Sequence, residues 1–186
     1  MGILYITRHG ETEYNRLHLF MGRRNIELNK KGVAQAHELG RQLKERDIDF
    51  IVSSSLKRAK KTAEIINQYI QKELKIDDRL IEREAGVYEG LTTQELEEIQ
   101  REKGYADDME KIYQEIPPHG ESAEDVQKRV FAALDEFRKD CSDKKIVIIT
   151  HAFVVRMIKK YFNPGISAKE FFDFQLKNAE IHEVKF

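Results

Sequence analysis

One cysteine occurs in the 186 residues, and a single thiol can form neither an internal disulfide nor a zinc cluster. That residue, Cys141, lies in the polar, turn-like run Lys139-Asp140-Cys141-Ser142-Asp143 with no histidine beside it in sequence. It reads as an incidental thiol, and the implied compartment is the cytoplasm. An excess of one charge is also missing. The 32 basic and 33 acidic residues leave a net charge of -1, which argues against nucleic acid or an anionic membrane surface as partner. No apolar stretch approaches the ~20 residues of a membrane span, and Gly2–Ile6 is too short for a secretory h-region. With only three prolines and ten glycines, the chain has no Pro/Gly linker, no repeat and no low-complexity tract. It reads as one domain over 1–186.

Short strands alternate with long helices. Ile3–Thr7, Phe50–Ser53, Lys75–Asp77 and Ile146–Thr150 read as strands. The last, Ile-Val-Ile-Ile-Thr, is apolar without alternation, as expected of a strand covered on both faces. Phe172–Gln175 and Glu180–Val184 read as further strands, the second alternating like an edge. Helical spacing predicts helices over Lys31–Arg46, with Val33, Ala36, Leu39, Gly40 and Leu43 on one stripe, and over Leu56–Glu73. Two more are predicted over Ala123–Lys139, capped by Glu121-Ser122, and over Ala152–Phe162. The β-α-β-α order predicts an α/β three-layer sandwich with a mostly parallel sheet and one antiparallel edge strand. Residues 87–119 break the rhythm with helical stretches such as Thr93–Lys103 and a stop at Pro117-Pro118. They read as a short helical lid over one end of the sheet.

Polar residues concentrate where strands end. Arg8-His9-Gly10-Glu11-Thr12 follows the first strand and delivers a phosphate-binding fork, a group able to act as nucleophile or acid–base, and a turn. Thr150-His151-Ala152 follows the strongest strand and opens a helix whose positive end favours an anion. Ser53-Ser54-Ser55-Leu56-Lys57-Arg58 places Arg58 in a first helical turn, and Leu80-Ile81-Glu82-Arg83-Glu84-Ala85-Gly86 supplies carboxylates ahead of a glycine. Each residue alone has an ordinary structural reading. Together they provide a nucleophile, a second histidine, two guanidinium forks and an acid, an inventory that suits phosphoryl transfer through a phosphohistidine.

These motifs resemble the histidine phosphatase superfamily, also called the phosphoglycerate-mutase-like family. The likeness runs through Arg8-His9-Gly10-Glu11-Thr12 with Asn15, Ser53-Ser54 with Arg58-Ala59 and Thr62-Ala63, Leu80 with Glu82 and Gly86, Gly120-Glu121-Ser122 with Arg129, and Thr150-His151. The resemblance implies that His9 is the phosphorylated nucleophile. Arg8, Arg58 and His151 would bind the phosphoryl oxygens, helped by Asn15 and the backbone N–H of Ala152. Glu82 would protonate the leaving alcohol and then activate water. Glu84 is a rival for that last role, but only Glu82 has the family's four-residue step to Gly86. No metal or cofactor is implied.

The chain departs from the family where many relatives read Gln-Gly-Trp-x-Asp and it reads Met21-Gly22-Arg23-Arg24-Asn25. Met21 removes one phosphate contact, while Gly22 and Arg23 remain candidates for substrate binding; Arg23-Arg24 is read equally as a solvated pair. His119, beside the Gly-Glu-Ser turn, is a weaker candidate for the mouth of the site. The lid carries few basic residues, Arg101, Lys103 and Lys111, unlike mutase lids. The resemblance therefore implies a metal-independent phosphatase acting on a small phosphomonoester such as a sugar phosphate or nucleoside-type phosphate. A bisphosphoglycerate-primed mutase and a non-catalytic phospho-ligand-binding protein are the alternatives. A monomer or homodimer is expected.

Overall fold

The computed structural model describes residues 1–105 and 108–186. The chain runs β1 (Ile3–Arg8), α1 (Glu13–Arg16), α2 (Lys30–Lys44), β2 (Phe50–Ser53), α3 (Lys57–Ile70) and β3 (Glu73–Ile76). It continues through α4 (Thr93–Glu102), α5 (Met109–Gln114), α6 (Ala123–Asp140), β4 (Lys145–Thr150), α7 (Ala152–Phe162), α8 (Ala168–Asp173) and β5 (Ile181–Lys185). The sheet has five strands in the order β3-β2-β4-β1-β5. Its first four strands are parallel, and β5 pairs antiparallel with β1 at the edge.

Successive residues of each strand face opposite sides of the sheet, and both sides are covered. Leu4, Ile6, Val52, Ile146 and Ile148 face α6 and α7 in one core cluster. Tyr5, Ile51, Val147 and Ile149 face α2 and α3 in the other. The four residues from Ile146 to Ile149 have no exposed surface, which explains why β4 reads as an apolar run with no alternation. Burying each such side chain contributes about 1.5–3 kcal/mol before entropy is counted.

Two expectations change. Phe172–Gln175 is not a strand. Ser167 caps α8 with its side chain accepting from Glu170 N, and Glu170 answers on the Ser167 N–H in a capping box, so the helix runs on to Asp173. Phe171 on this helix is buried in the core. The helix expected to reach Glu73 stops at Ile70 because Gln71 turns left-handed at φ 49°, and Glu73 instead opens β3. No helix among the described residues is long and apolar enough to cross a membrane.

Candidate active site

The central pairing of β1 with β4 sets Arg8 opposite Thr150, so the residues that follow, His9 and His151, leave the sheet side by side. The His9 N–H donates to the Thr150 carbonyl at 3.1 Å, and the imidazole centroids lie 5.3 Å apart. Gly10 makes the turn because any side chain there would collide with the Gly32 carbonyl. His9 Nδ1 lies 2.7 Å from the Gly10 carbonyl oxygen. A carbonyl only accepts, so Nδ1 carries the proton and Nε2 keeps its lone pair.

Arg58 donates from Nε to that Nε2 at 3.2 Å. It is fully buried in the first turn of α3. Its other two nitrogens donate to the carbonyls of Arg24 (2.7 Å) and Gly22 (2.8 Å), so its orientation is fixed. Burial lowers its pKa to about 10, which leaves the guanidinium charged near neutrality. Burial, followed by the cations Arg58 and Arg8, pushes His9 well below the ordinary histidine value. Burial and Arg58 do the same to His151. Both rings are therefore neutral at pH 7.

Two buried polar atoms at this centre, Arg8 Nε and His151 Nδ1, have no hydrogen-bond partner among the described residues. Unsatisfied buried groups are costly, and an oxyanion would satisfy both. Arg8 is anchored from Nη1 to the Leu176 carbonyl at 2.8 Å, and His151 Nε2 is 2.8 Å from Ser54 Oγ. Ala152 opens the eleven-residue α7 directly beyond His151.

The centre opens into a cavity of about 810 Å³, lined among others by Arg8, His9, Asn15, Gly22, Glu82 and Ala152. The Glu82 carboxylate accepts from the backbone N–H of Arg83 at 2.8 Å and, more loosely, from that of Phe153 at 3.4 Å. This places it over the start of α7. Asn15 Oδ1 is taken by the backbone N–H and hydroxyl of Thr12. Among the described residues no group of three potential ligands could hold a metal ion.

The model of the histidine phosphatase superfamily (branch 1) matches residues 4–186. The chain belongs to that superfamily. The uncharacterized phosphatase PhoE of Bacillus subtilis is 32% identical, over all of this chain and 91% of its own. Phosphoglycerate mutase-like protein 4 of Arabidopsis thaliana is 34% identical over 87% of this chain and 71% of its own. A phosphoserine phosphatase mutant from Entamoeba histolytica, solved with phosphoserine, has a TM-score of 0.84 and 30% identity, covering 98% of this chain and 90% of that one. As a superfamily member with phosphatase relatives across its length, this chain is an enzyme that hydrolyses phosphomonoesters.

In this histidine phosphatase the sequence-predicted residues divide. Arg8, His9, Asn15, Gly22, Glu82 and Ala152 line the cavity, and Arg58 and His151 adjoin His9 without being among the lining residues. Arg23 is not among the lining residues. It donates from Nε to the Glu82 carbonyl (3.0 Å), from Nη2 to Glu121 (3.0 Å) and from its backbone N–H to Glu89 (2.8 Å). The side chain of Arg24 is exposed and bonds Tyr14. His119 is exposed, in a left-handed turn at φ 60°, away from the lining. Glu84 is 46% exposed and reaches toward Arg23, whereas Glu82 lines the cavity.

Sequence reasoning assigned nothing to Ser54, Asn178, Arg83 or Arg156. Asn178 donates to the His9 carbonyl at 2.9 Å and lines the cavity with Arg83 and Arg156. Ser54 sits in a quoted motif and Arg83 adjoins Glu82, so both were within reach. Asn178 lies in a loop with no local signal, and only the β1–β5 pairing brings it to the site.

Proposed function

We propose that the chain hydrolyses a small phosphomonoester through a phosphohistidine on His9. The observation that carries this reading is the His9 tautomer: the Gly10 carbonyl holds the Nδ1 proton, so the Nε2 lone pair is directed to attack. In the first step Nε2 bonds to phosphorus while the ester P–O bond breaks, and Glu82 gives a proton to the departing alkoxide. In the second, Glu82 takes a proton from water, the oxygen bonds to phosphorus, the N–P bond breaks, and inorganic phosphate leaves with His9 restored. Arg8, Arg58, His151 and the N–H groups at the start of α7 neutralise the equatorial oxygens. The guanidinium groups supply the charge that a cation supplies in other phosphoryl-transfer sites.

The wall of the cavity contributed by 87–119 favours hydrolysis over mutase chemistry. It includes Tyr88, Leu96, Met109, Ile112 and Pro117. The segment's own Lys103 is bound to Glu115 and Tyr88, and Lys111 reaches Asp108. No lysine or arginine of this segment lines the cavity among the described residues, so 87–119 itself adds no cation to hold an anionic product for rephosphorylation. The lining cations, Arg83, Arg156 and Lys177 among them, come from other segments. The substrate we favour is a sugar or nucleoside-type phosphate.

Rapid acid-free quenching after mixing with a labelled phosphomonoester should trap an acid-labile phosphoryl group that His9→Ala lacks. Turnover should be unaffected by EDTA. Label that stays absent while turnover persists would overturn the covalent route, and phosphoglycerate interconversion faster than hydrolysis would overturn the phosphatase reading.

A further inference from the structure

The Gly120-Glu121-Ser122 turn and Arg129 belong to the sequence motif but take no part in the chemistry above, and none of them lines the cavity. Their contacts converge elsewhere. Glu82 lies in an irregular stretch between two short 3-10 turns, Asp78–Leu80 and Gly86–Tyr88. No helix or strand ladder sets its backbone there. Instead, two guanidinium groups meet on its carbonyl oxygen: Arg23 Nε at 3.0 Å and Arg129 Nη2 at 3.3 Å. Arg129 Nη1 also donates to the carbonyls of Arg79 (2.7 Å) and Ile81 (2.6 Å).

Two cations brought to one oxygen repel each other unless an anion stands between them. Glu121 is that anion. Its Oε1 accepts from Arg129 Nε at 2.8 Å, and its Oε2 accepts from Arg129 Nη2 at 2.9 Å and Arg23 Nη2 at 3.0 Å. The paired forks of Arg129 and Glu121 are well covered, with side chains 16% and 13% exposed. The backbone of Glu121 grips the same stretch on its far side, donating to the Glu84 carbonyl and accepting from Arg83 Nε at 2.8 Å.

We infer that Glu121 is a positioning residue for the acid–base step: with Arg23 and Arg129 it clamps the carbonyls around Glu82 and so fixes where that carboxylate meets the leaving group. This rests on the role proposed for Glu82. A misplaced acid matters only for a leaving group that needs a proton. An alkyl phosphate such as glycerol phosphate releases a strongly basic alkoxide, whereas p-nitrophenyl phosphate releases a stabilised phenolate without help. The ratio of their kcat/KM values, which report the steps through phosphoenzyme formation, therefore measures placement of the acid separately from the integrity of the fold.

The experiment compares the wild-type enzyme with Glu82→Gln, Glu121→Gln and Arg129→Lys on both substrates, together with inhibition by inorganic phosphate. Glu121→Gln and Arg129→Lys should each lower kcat/KM for glycerol phosphate roughly 10-fold or more beyond any loss with p-nitrophenyl phosphate, with phosphate inhibition unchanged. Continued p-nitrophenyl phosphate turnover serves as the folding control. Equal losses on both substrates, or a weakened phosphate inhibition matching the rate loss, would show a general structural role and overturn the inference. If Glu82→Gln itself shows no dependence on the leaving group, the role of Glu82 falls first. If Glu82→Gln shows it and both clamp variants do not, the clamp alone is wrong.

Discussion

Arg58 Nε donates to His9 Nε2 across 3.2 Å, so the lone pair proposed to attack phosphorus is capped by the cation proposed to bind the phosphoryl oxygens. The capping holds the nucleophile neutral and correctly oriented before substrate arrives. On binding, the guanidinium exchanges a neutral ring nitrogen for an anionic oxygen, a stronger partner.

Arg58→Lys should therefore be far from conservative. A lysine supplies one ammonium where the fork serves the Gly22 and Arg24 carbonyls and His9 together. A loss of about 10²–10³ in kcat/KM is expected, with a stability loss of about 1–3 kcal/mol from carbonyls left without donors. Steady-state kinetics and urea melts check both values, and Arg24→Lys, which alters an exposed side chain, should leave turnover unchanged. Near-normal kcat/KM in Arg58→Lys would remove the fork from the mechanism.

Acid should weaken the free enzyme early. When folded, His9 and His151 are held well below the ordinary histidine value, first by burial and then by the Arg58 cation, but they titrate at about 6.5 when unfolded. As pH falls below about 6.5 the unfolded chain takes up protons that the folded chain refuses, and stability drops by up to about 1.4 kcal/mol per pH unit for each histidine. Above that pH the two rings contribute no slope. Urea midpoints at pH 7.5, 6.5 and 5.5 should show the break, and His9→Asn should make the acid limb shallower. A flat midpoint from pH 6.5 to 5.5 would contradict the buried neutral pair.

Vanadate should stabilise the fold by satisfying Arg8 Nε and His151 Nδ1. At 100 times its Kd a ligand contributes about 2.7 kcal/mol, or roughly 5–11 °C in Tm for a chain of this size. Thermal melts with and without vanadate test this, and His151→Ala should reduce the shift. No shift at saturating vanadate would mean that the two unpartnered atoms do not form an oxyanion site.

Most of the residues proposed to carry the chemistry are legible in sequence as candidates because they end or follow a strand or open a helix. Arg8-His9 and Thr150-His151 are of this kind. Glu82, by contrast, lies in an irregular stretch and stands out only by its spacing to Gly86. The helix stripes were legible too: Val126, Val130, Ala133, Leu134 and Phe137 are all buried as their spacing predicts. What escaped was decided by tertiary partners. In sequence Arg23, where many relatives carry Gln-Gly-Trp-x-Asp, reads equally as a substrate contact or as half of a solvated pair. Nothing local points to its carboxylate partners Glu84 and Glu121, which come from distant segments. Asn178 gave no signal because its value depends on an edge strand pairing with β1. Phe172–Gln175 misled because its aromatic residues favour a strand, while the capping box at Ser167 outweighed that preference.

The neighbouring of β1 and β4 at the middle of the sheet also has a temporal side. His9 is synthesised well before the strand that delivers His151, which begins only at Lys145. The nascent chain therefore exposes its nucleophile long before any phosphate pocket exists to activate it. Fragments ending before β4 lack the strand that sits between β1 and β2, so they are left without the centre of the sheet as well as half of the pocket. Competence toward phosphate esters and completion of the fold arrive in the same late event, after the slow closure of a long-range parallel pairing.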